Sequence, residues 1–574
     1  MTSTAVLCVS GALGFVVVAL GFPDWQVAVE TAQVVAGLVD YPRDNSFYIY
    51  HLKLWTVLHQ LCAGLLGAGM SEITLSMLLT GVQGMLTFQA LAMFVYALSR
   101  DVVLSLASVV VVIVSGTGDV GVTYPVFLLG TVHTYGAVGL SLVVLVPALL
   151  GCGHYRLGLF LAGIAPAVHP SLGLWLALGL GVCGVMDMAA ARRVLTVGWR
   201  PFAAGCAVTA VSLGVHLYMS RGIPPVPGDV VARYLDAFTA LWDEHRQPVR
   251  LSHMGVRINL AALALATAWL GVRPGSDPGL TPLRFGAVVA AVSVVFVFVS
   301  WVPPERLPRW LVMLMPTRLL NVATMTFTAM VLGLAGAIRQ RWGPWLTVAI
   351  AALLLAGRRS LLWDWVRQQG WADGAPYRVD PAGVLAVATL LLIVYAFARR
   401  REGNRRPLVP NAILAALVLV VVAIGIRPVL AARSAESVYR DRTNDLFFQT
   451  VARGRGLLLT GGDLYLIQLR TRRPILLNGG ALDSLPYAPE SAPVMDRVLR
   501  NVYGIDLFNP PPGTPKMAVV PNAYNRQLWQ GYSGDRWQQI KREYNVSQVM
   551  VPADWQLSLP IVAQSRHYLL YEIP

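Results

Sequence analysis

The stretch LGLFLAGIAPAVHPSLGLWLALGLGVCGVM, residues 157–186, decides the fold class. It holds no charged residue. A helix needs about 20 apolar residues to cross the hydrocarbon of a bilayer, so the run is too long for one pass. Pro166, His169 and Pro170 interrupt it near its middle. Proline removes an amide donor and clashes with the preceding turn. The stretch therefore reads as two short membrane segments meeting at an apex, Ala165-Pro166-Ala167-Val168-His169-Pro170.

Further uncharged stretches run on both sides: 4–22, 73–99, 102–118, 120–155, 201–220, 285–304, 319–338, 381–398 and 407–426, with shorter candidates at 258–272 and 343–357. Residues 4–22 lack the basic flank and cleavage site of a signal peptide and read as a retained first helix. The stretch 73–98 is expected to divide near Gly81 and Gly84. Residues 102–150 are expected to rise, expose 116–136 and descend. The length rule gives about 11 to 14 membrane segments. Backbone broken at membrane depth is tolerated only inside protein or beside a watery cavity, so these breaks point to a cavity.

Composition agrees. The 574 residues are 56% hydrophobic and only 13% charged, with mean hydropathy +0.58. A soluble chain carries about a quarter charged residues. A soluble enzyme, a disordered protein and a fibrous repeat are excluded. The net charge is +15, and Lys53, Lys516 and Lys541 are the only lysines, so nearly all the positive charge is arginine. Membrane proteins gather arginine in cytoplasmic loops. That explains the basic balance without nucleic acid, which is not an expected partner. The cysteines (Cys8, Cys62, Cys152, Cys183, Cys206) lie in apolar runs without metal spacing and read as small buried hydrophobes.

The clusters Arg192-Arg193, Arg339 with Arg341, and Arg399-Arg400-Arg401 with Arg405-Arg406 orient the chain. Counting passes between them closes consistently, apart from Arg358 and Arg359. It places the loops 23–51, 116–136 and 221–256, and everything after about residue 430, on the extracytoplasmic side. Two domains are expected: a multipass domain over 1–429 and a soluble α/β domain over 430–574. Within the latter, short apolar runs (456–460, 474–478, 517–520, 548–551) alternate with helical patterns near 436–453, 491–503 and 534–543. Gly461-Gly462-Asp463 lacks the rest of a phosphate-loop pattern and reads as a plain turn.

Four clusters carry candidate chemistry. The first external loop begins with a helical pattern over 25–38, expected along the membrane surface, then Asp40, Tyr41, Arg43 and Asp44; because an apolar segment with Lys53 and His59 follows directly, the loop is expected to fold over membrane-embedded protein. A carboxylate in low dielectric can act as a general base on a hydroxyl; a solvated turn is the alternative. The second cluster holds Asp119, Tyr124 and His133. Ionisable groups within membrane segments usually face a functional interior, although a helix-capping Asp and a hydrogen-bonded core His are also open. The third is His169, able to bind an anion or move a proton, or simply to cap the break. The fourth is Trp301–Trp310 with Arg318. A buried Arg318 suits a phosphate, which guanidinium binds bidentately; for Arg306 and Arg309, snorkelling to the interface is the rival reading. In the loop 221–256, Asp236, Asp243, Glu244, His245 and Arg246 read as a solvated helical face. No GxSxG, HExxH, P-loop or CxxC pattern is present, and no cofactor is expected; a divalent ion at Asp40, Asp44 and Asp119 lacks support from spacing.

This arrangement resembles the GT-C superfamily of integral-membrane glycosyltransferases. The matching features are an acidic first external loop (Asp40, Asp44), many helices of uneven length and an external C-terminal α/β domain. The runs Tyr124-Pro125 to His133-Thr134-Tyr135, and Ala167-Val168-His169-Pro170-Ser171-Leu172-Gly173, look like those of bacterial multipass proteins of this type. The resemblance implies a bacterial inner-membrane location, a polyprenyl-phosphate sugar donor and a glycan, lipid or protein acceptor. It implies Asp40 or Asp44 as base, with His133, His169 and Arg318 contacting the lipid phosphate. Apart from the resemblance, Asp119 is a further catalytic candidate, and Tyr41, Arg43 and Tyr124 are candidate substrate contacts. The paired acids of some branches are absent, since Asp40 and Asp44 are separated. A lipid-linked-substrate transporter or flippase is the rival class, because broken helices also mark transporters, but no repeated halves are found. A membrane acyltransferase is a third reading, without a supporting Ser or second His.

Overall fold

The computed structural model describes residues 2–117, 129–272, 277–338, 342–357, 367, 380–398, 412–417, 438–462 and 464–574. Asp119, Tyr124, Arg339, Arg341, Arg358, Arg359 and the Arg399–Arg406 cluster lie outside the described residues.

The chain is a polytopic helical membrane protein with a small C-terminal sheet. Its helices are α1 (Ser3–Gly21), α2 (Val27–Val35), α3 (Ser46–Lys53), α4 (Val57–Gly67), α5 (Glu72–Ser99), α6 (Val102–Ser115), α7 (Thr134–Gly151), α8 (Tyr155–Val168), α9 (Pro170–Met186), α10 (Met188–Met219), α11 (Gly228–Leu241), α12 (Met254–Val272), α13 (Thr281–Val299), α14 (Arg309–Met313), α15 (Leu320–Ala337), α16 (Gly343–Leu355) and α17 (Pro381–Ala398). Among the described residues, seven helices are long and apolar enough to cross a bilayer, and shorter apolar helices accompany them.

The break at residues 165–170 is as expected: α8 ends at Val168, α9 begins at Pro170, and His169 caps both. The break expected at Gly81 and Gly84 is absent, and α5 runs uninterrupted. Those glycines serve packing instead. A Cβ on Gly84 would sit 2.4 Å from the Gly14 carbonyl oxygen of α1, and one on Gly81 would enter the Phe15 ring. Small residues let membrane helices approach until their backbones touch. Likewise, α10 is one helix, so Arg192 and Arg193 sit on it rather than in a loop. Nearly every residue of α15 is buried. A helix that is apolar all round belongs in the centre, and α15 is the axis of the bundle. At its start, Met315 adopts φ 44°, and Pro316–Leu319 form a 3-10 turn that carries Arg318.

The helix expected along the membrane surface is α2, and it is instead enclosed by protein. Ala28, Val29, Thr31, Ala32, Gln33 and Val34 are buried, since the C-terminal tail closes over it. Gln33 Nε2 donates to Leu469 O at 3.0 Å. Gln468 Nε2 donates to Glu30 O at 3.0 Å.

The tail adds α18 (Leu446–Arg453), α19 (Ile467–Thr471), α20 (Ala492–Tyr503), α21 (Asn522–Gln530) and α22 (Gly534–Tyr544). Its strands are β1 (Leu457–Thr460), β2 (Val546–Pro552), β3 (Ile561–Gln564) and β4 (Tyr568–Glu572), in the order β1-β2-β4-β3. The β1–β2 pair is parallel and the other pairs are antiparallel. A parallel pair needs a long crossover, here supplied by α19 to α22. Of the strands expected, 456–460 and 548–551 form. Residues 474–478 make one isolated bridge, Leu458 to Ile475. Residues 517–520 form no strand, because Ala518 N donates to Trp242 O at 2.8 Å in the loop 221–256.

That loop corrects another expectation. Asp243 is fully buried rather than solvated, in an ion pair with Arg246. Phe238 and Trp242 are fully buried in the same apolar core as Trp529, Trp537 and Tyr503 of the tail. Trp242 Nε1 donates to Leu507 O at 2.8 Å, which satisfies its polar edge at depth. The amphipathic pattern was visible; that its apolar face meets a distant tail was not.

Candidate functional site

The first external loop is organised by Asn45, whose side chain caps α3 by accepting from the amides of Phe47 and Tyr48. Residues three apart on a helix share a face, so Tyr50 and Lys53 point the same way. They line a cavity of about 340 Å³ with Trp55, His133, Tyr135, His169, Pro170, Arg318, Asp483 and Tyr487. The pit lies at one end of the bundle. The first turns of α7 and α9 border it, and the 3-10 turn before α15 places Arg318 in its wall. The tail forms the opposite wall.

Arg318 is buried, at 5% exposure. Its Nη2 donates to the Tyr487 hydroxyl at 3.1 Å, so a tail residue orients a bundle guanidinium. Lys53 Nζ lies 2.8 Å from Glu490 of the tail, both partly shielded. His169 Nδ1 accepts a long bond, 3.5 Å, from the Leu172 amide and lies 3.2 Å from Ser171 Oγ. With Nδ1 engaged as the cap acceptor, the neutral ring carries its proton on Nε2, which makes that atom a donor. His133 is the N-cap of α7 and is exposed at the pit. The charge of Asp483 acts on both His133 and Tyr50. Burial pushes the Tyr50 phenol well above its ordinary range, so it is a hydrogen-bond donor in the pit.

Helix N-termini carry partial positive charge. Those of α7, α9 and the α15 turn meet here, beside one guanidinium and one ammonium. Such groups can hold an anion with several oxygens, as Arg and backbone dipoles commonly do for phosphate.

The first-loop acids go elsewhere. Asp40, Arg43 and Asp44 are exposed, and none lines the pit. They sit on a turn closed by Asn45 N to Pro42 O at 3.0 Å. Tyr41 is buried at the tail interface, where its hydroxyl donates to Gln468 Oε1 at 2.7 Å and accepts from the Ile475 amide at 3.2 Å. Of the residues singled out from sequence, the structure brings together His133, His169 and Arg318.

Sequence reasoning missed Lys53, Tyr50, Trp55, Asp483 and Tyr487 as site residues. Lys53 left one signal, being one of three lysines in the chain and the only one in an apolar context. The tail residues left none, since Tyr487 meets Arg318 across 169 positions.

Glu30 of α2 was also missed. Its carboxylate accepts a hydrogen bond from the Leu469 amide, and burial pushes its pKa up to about 7. A second cavity, about 370 Å³, lies across the Met315–Thr317 segment and is lined by Trp301, Leu311, Arg246 and Lys516. There Arg246 is paired with Asp243, as Lys53 is with Glu490 in the first pit; what sets the first pit apart is Arg318 together with the helix N-termini around it.

Fold and site thus define a multipass membrane protein with a pit, lined by Arg318, Lys53, two histidines and Asp483, between its helical bundle and its tail. No family model matches the sequence, and no curated protein matches it. Among solved structures, the chain is similar to ArnT from Cupriavidus metallidurans bound to undecaprenyl phosphate. Identity is 13%, coverage is 100% of this chain and 97% of that one, and the TM-score is 0.43. It is also similar to the apo state of the same protein, at 12% identity, the same coverage and TM-score 0.39. Likenesses this loose carry no argument about function, which rests on the residues of the pit.

Proposed function

We propose that the protein is a membrane glycosyltransferase of the GT-C type, moving a sugar from a polyprenyl-phosphate donor to an acceptor in the cell envelope. The observation that carries the reading is the pit itself. Arg318, Lys53, His169 and His133 converge with helix N-termini at the end of an apolar bundle. A phosphate on a hydrocarbon tail matches both features, with its oxygens among the cations and its chain among the helices.

Arg318 and Lys53 bind the phosphate and oppose the charge that grows on it as the glycosidic bond breaks. The His169 Nε2–H and the Tyr50 hydroxyl add donors. Trp55 and Tyr487 offer aromatic faces for a sugar. The tail forms one wall of the pit and partly screens it from water.

The pit and tail lie on the extracytoplasmic side in this reading. Trp55, in the pit wall, donates to Ser212 of α10 at 3.2 Å. Arg193 lies 19 residues earlier on the same helix, about 28 Å away at 1.5 Å per residue. That is close to the hydrocarbon thickness, and arginine marks the cytoplasmic end. With a polyprenyl-phosphate donor, this reading puts the protein in the bacterial inner membrane.

The test is to incubate the purified protein with a panel of undecaprenyl-phosphate sugars and to follow release of undecaprenyl phosphate together with sugar transfer to envelope acceptors. Saturable binding of undecaprenyl phosphate with transfer from one donor supports the reading. Movement of intact donor across vesicles without sugar transfer makes the protein a flippase instead, and absence of binding sinks both.

A further inference from the structure

We infer that Asp483, a residue of the C-terminal tail, is the general base of the transfer. The inference rests on the glycosyl-transfer reading above and assigns it a residue. A base must reach the acceptor hydroxyl beside the sugar. Asp40 and Asp44 are exposed on their turn and do not line the pit. Glu30 is tied to the Leu469 amide, and Glu490 is paired with Lys53 at 2.8 Å.

Asp483 differs from all of these. Among the described residues it is the one carboxylate lining the pit. None of those residues hydrogen-bonds to its side chain, so its oxygens are available to a substrate hydroxyl. Its backbone is held in the 3-10 turn Ala481–Ser484. Leu482 at 0% exposure and Leu485 at 1% lock that turn into the tail core. Four residues on, Tyr487 orients Arg318. One short rigid segment therefore presents a carboxylate and sets the cation that faces the leaving group.

In the step this assigns, Asp483 takes the proton of the acceptor hydroxyl as the acceptor oxygen bonds to the anomeric carbon. The bond from that carbon to the phosphate oxygen breaks. Its electron pair leaves on the polyprenyl phosphate, against Arg318 and Lys53. Asp483 then gives its proton to water.

The experiment uses the full-length purified protein. Binding is read with undecaprenyl phosphate. Transfer is read with the donor the panel identifies and membranes from a strain deleted for the gene as acceptor source. Asp483→Asn is expected to leave binding unchanged to about twofold while transfer falls about 10²- to 10⁴-fold, the usual share of a general base. The acidic limb of its pH–rate profile should vanish, and Asp483→Glu should recover part of the rate. Transfer by Asp483→Asn within about threefold of wild type overturns the inference, as does a parallel fall of binding and transfer that Asp483→Glu fails to relieve. If the wild-type protein neither binds undecaprenyl phosphate nor transfers sugar, the underlying glycosyltransferase reading fails and takes the inference with it.

Discussion

The Asp40–Asp44 turn and the pit hold similar residue types in opposite settings. The turn packs two acids, a tyrosine and an arginine into five consecutive positions, yet its charged groups face solvent. The pit draws Lys53, His133, His169, Arg318 and Asp483 from positions spread over more than four hundred residues and partly encloses them. Charges in water interact weakly, and the same charges beside protein and lipid interact several-fold more strongly. Density along the chain is thus a poor guide to chemistry. What matters is where helix ends and a covering domain exclude water.

Arg318 gives the sharpest way to break that contrast. Arg318→Ala should weaken undecaprenyl phosphate binding about 100-fold or more, because it deletes a buried, charge-assisted contact. A change under about threefold would mean the pit does not hold the phosphate.

Glu30 tests burial within the first loop itself. Its pKa rises from 4.5 to about 7, so the folded protein keeps a proton that the unfolded chain has released. Stability therefore falls as pH climbs from about 4.5 to 7 and levels off above that. Glu30→Gln should flatten this slope, and the gap in stability between variant and wild type should reach at most roughly 3 kcal/mol above pH 7. Melting temperatures from pH 5 to pH 8 check it; parallel curves for both proteins would place Glu30 in water with its neighbours.

Tyr487→Phe removes one hydrogen bond to Arg318 and leaves the ring. Binding should weaken about 3- to 10-fold, the worth of one such bond. No change would show that the bundle alone positions the guanidinium. The smallest effect is expected for Asp40→Asn and Asp44→Asn, each within about twofold of wild type in binding and transfer, as for other exposed positions. A large loss in either would return the base to the first loop and overturn the distinction between turn and pit.

The legible part of the fold followed from one-dimensional rules. Hydrophobic runs marked most membrane helices, and Pro166 with Pro170 marked the α8–α9 break. The same rules misled at Gly81 and Gly84, where glycine permits contact with α1 rather than a bend. They misled again at Asp243, a polar residue on an amphipathic pattern that is fully buried against Arg246. Within the site, His133, His169 and Arg318 stood out because ionisable groups are costly near apolar segments. Asp483 and Tyr487 did not, because an Asp and a Tyr in a polar tail are unremarkable until the tail is placed.

By itself, then, the chain of residues determined that this protein lives in a bilayer, roughly where it crosses, and which few charged groups must be sheltered at depth. Hydrocarbon imposes those outcomes locally, through length and burial cost. Tertiary structure alone decided which charges meet. Tail docking is set by contacts between surfaces remote in sequence, such as Tyr41 with Gln468, Lys53 with Glu490 and Glu72 with Arg472. Only that docking turns the end of a helical bundle into a partly enclosed cavity with an acid on one wall and cations on the other.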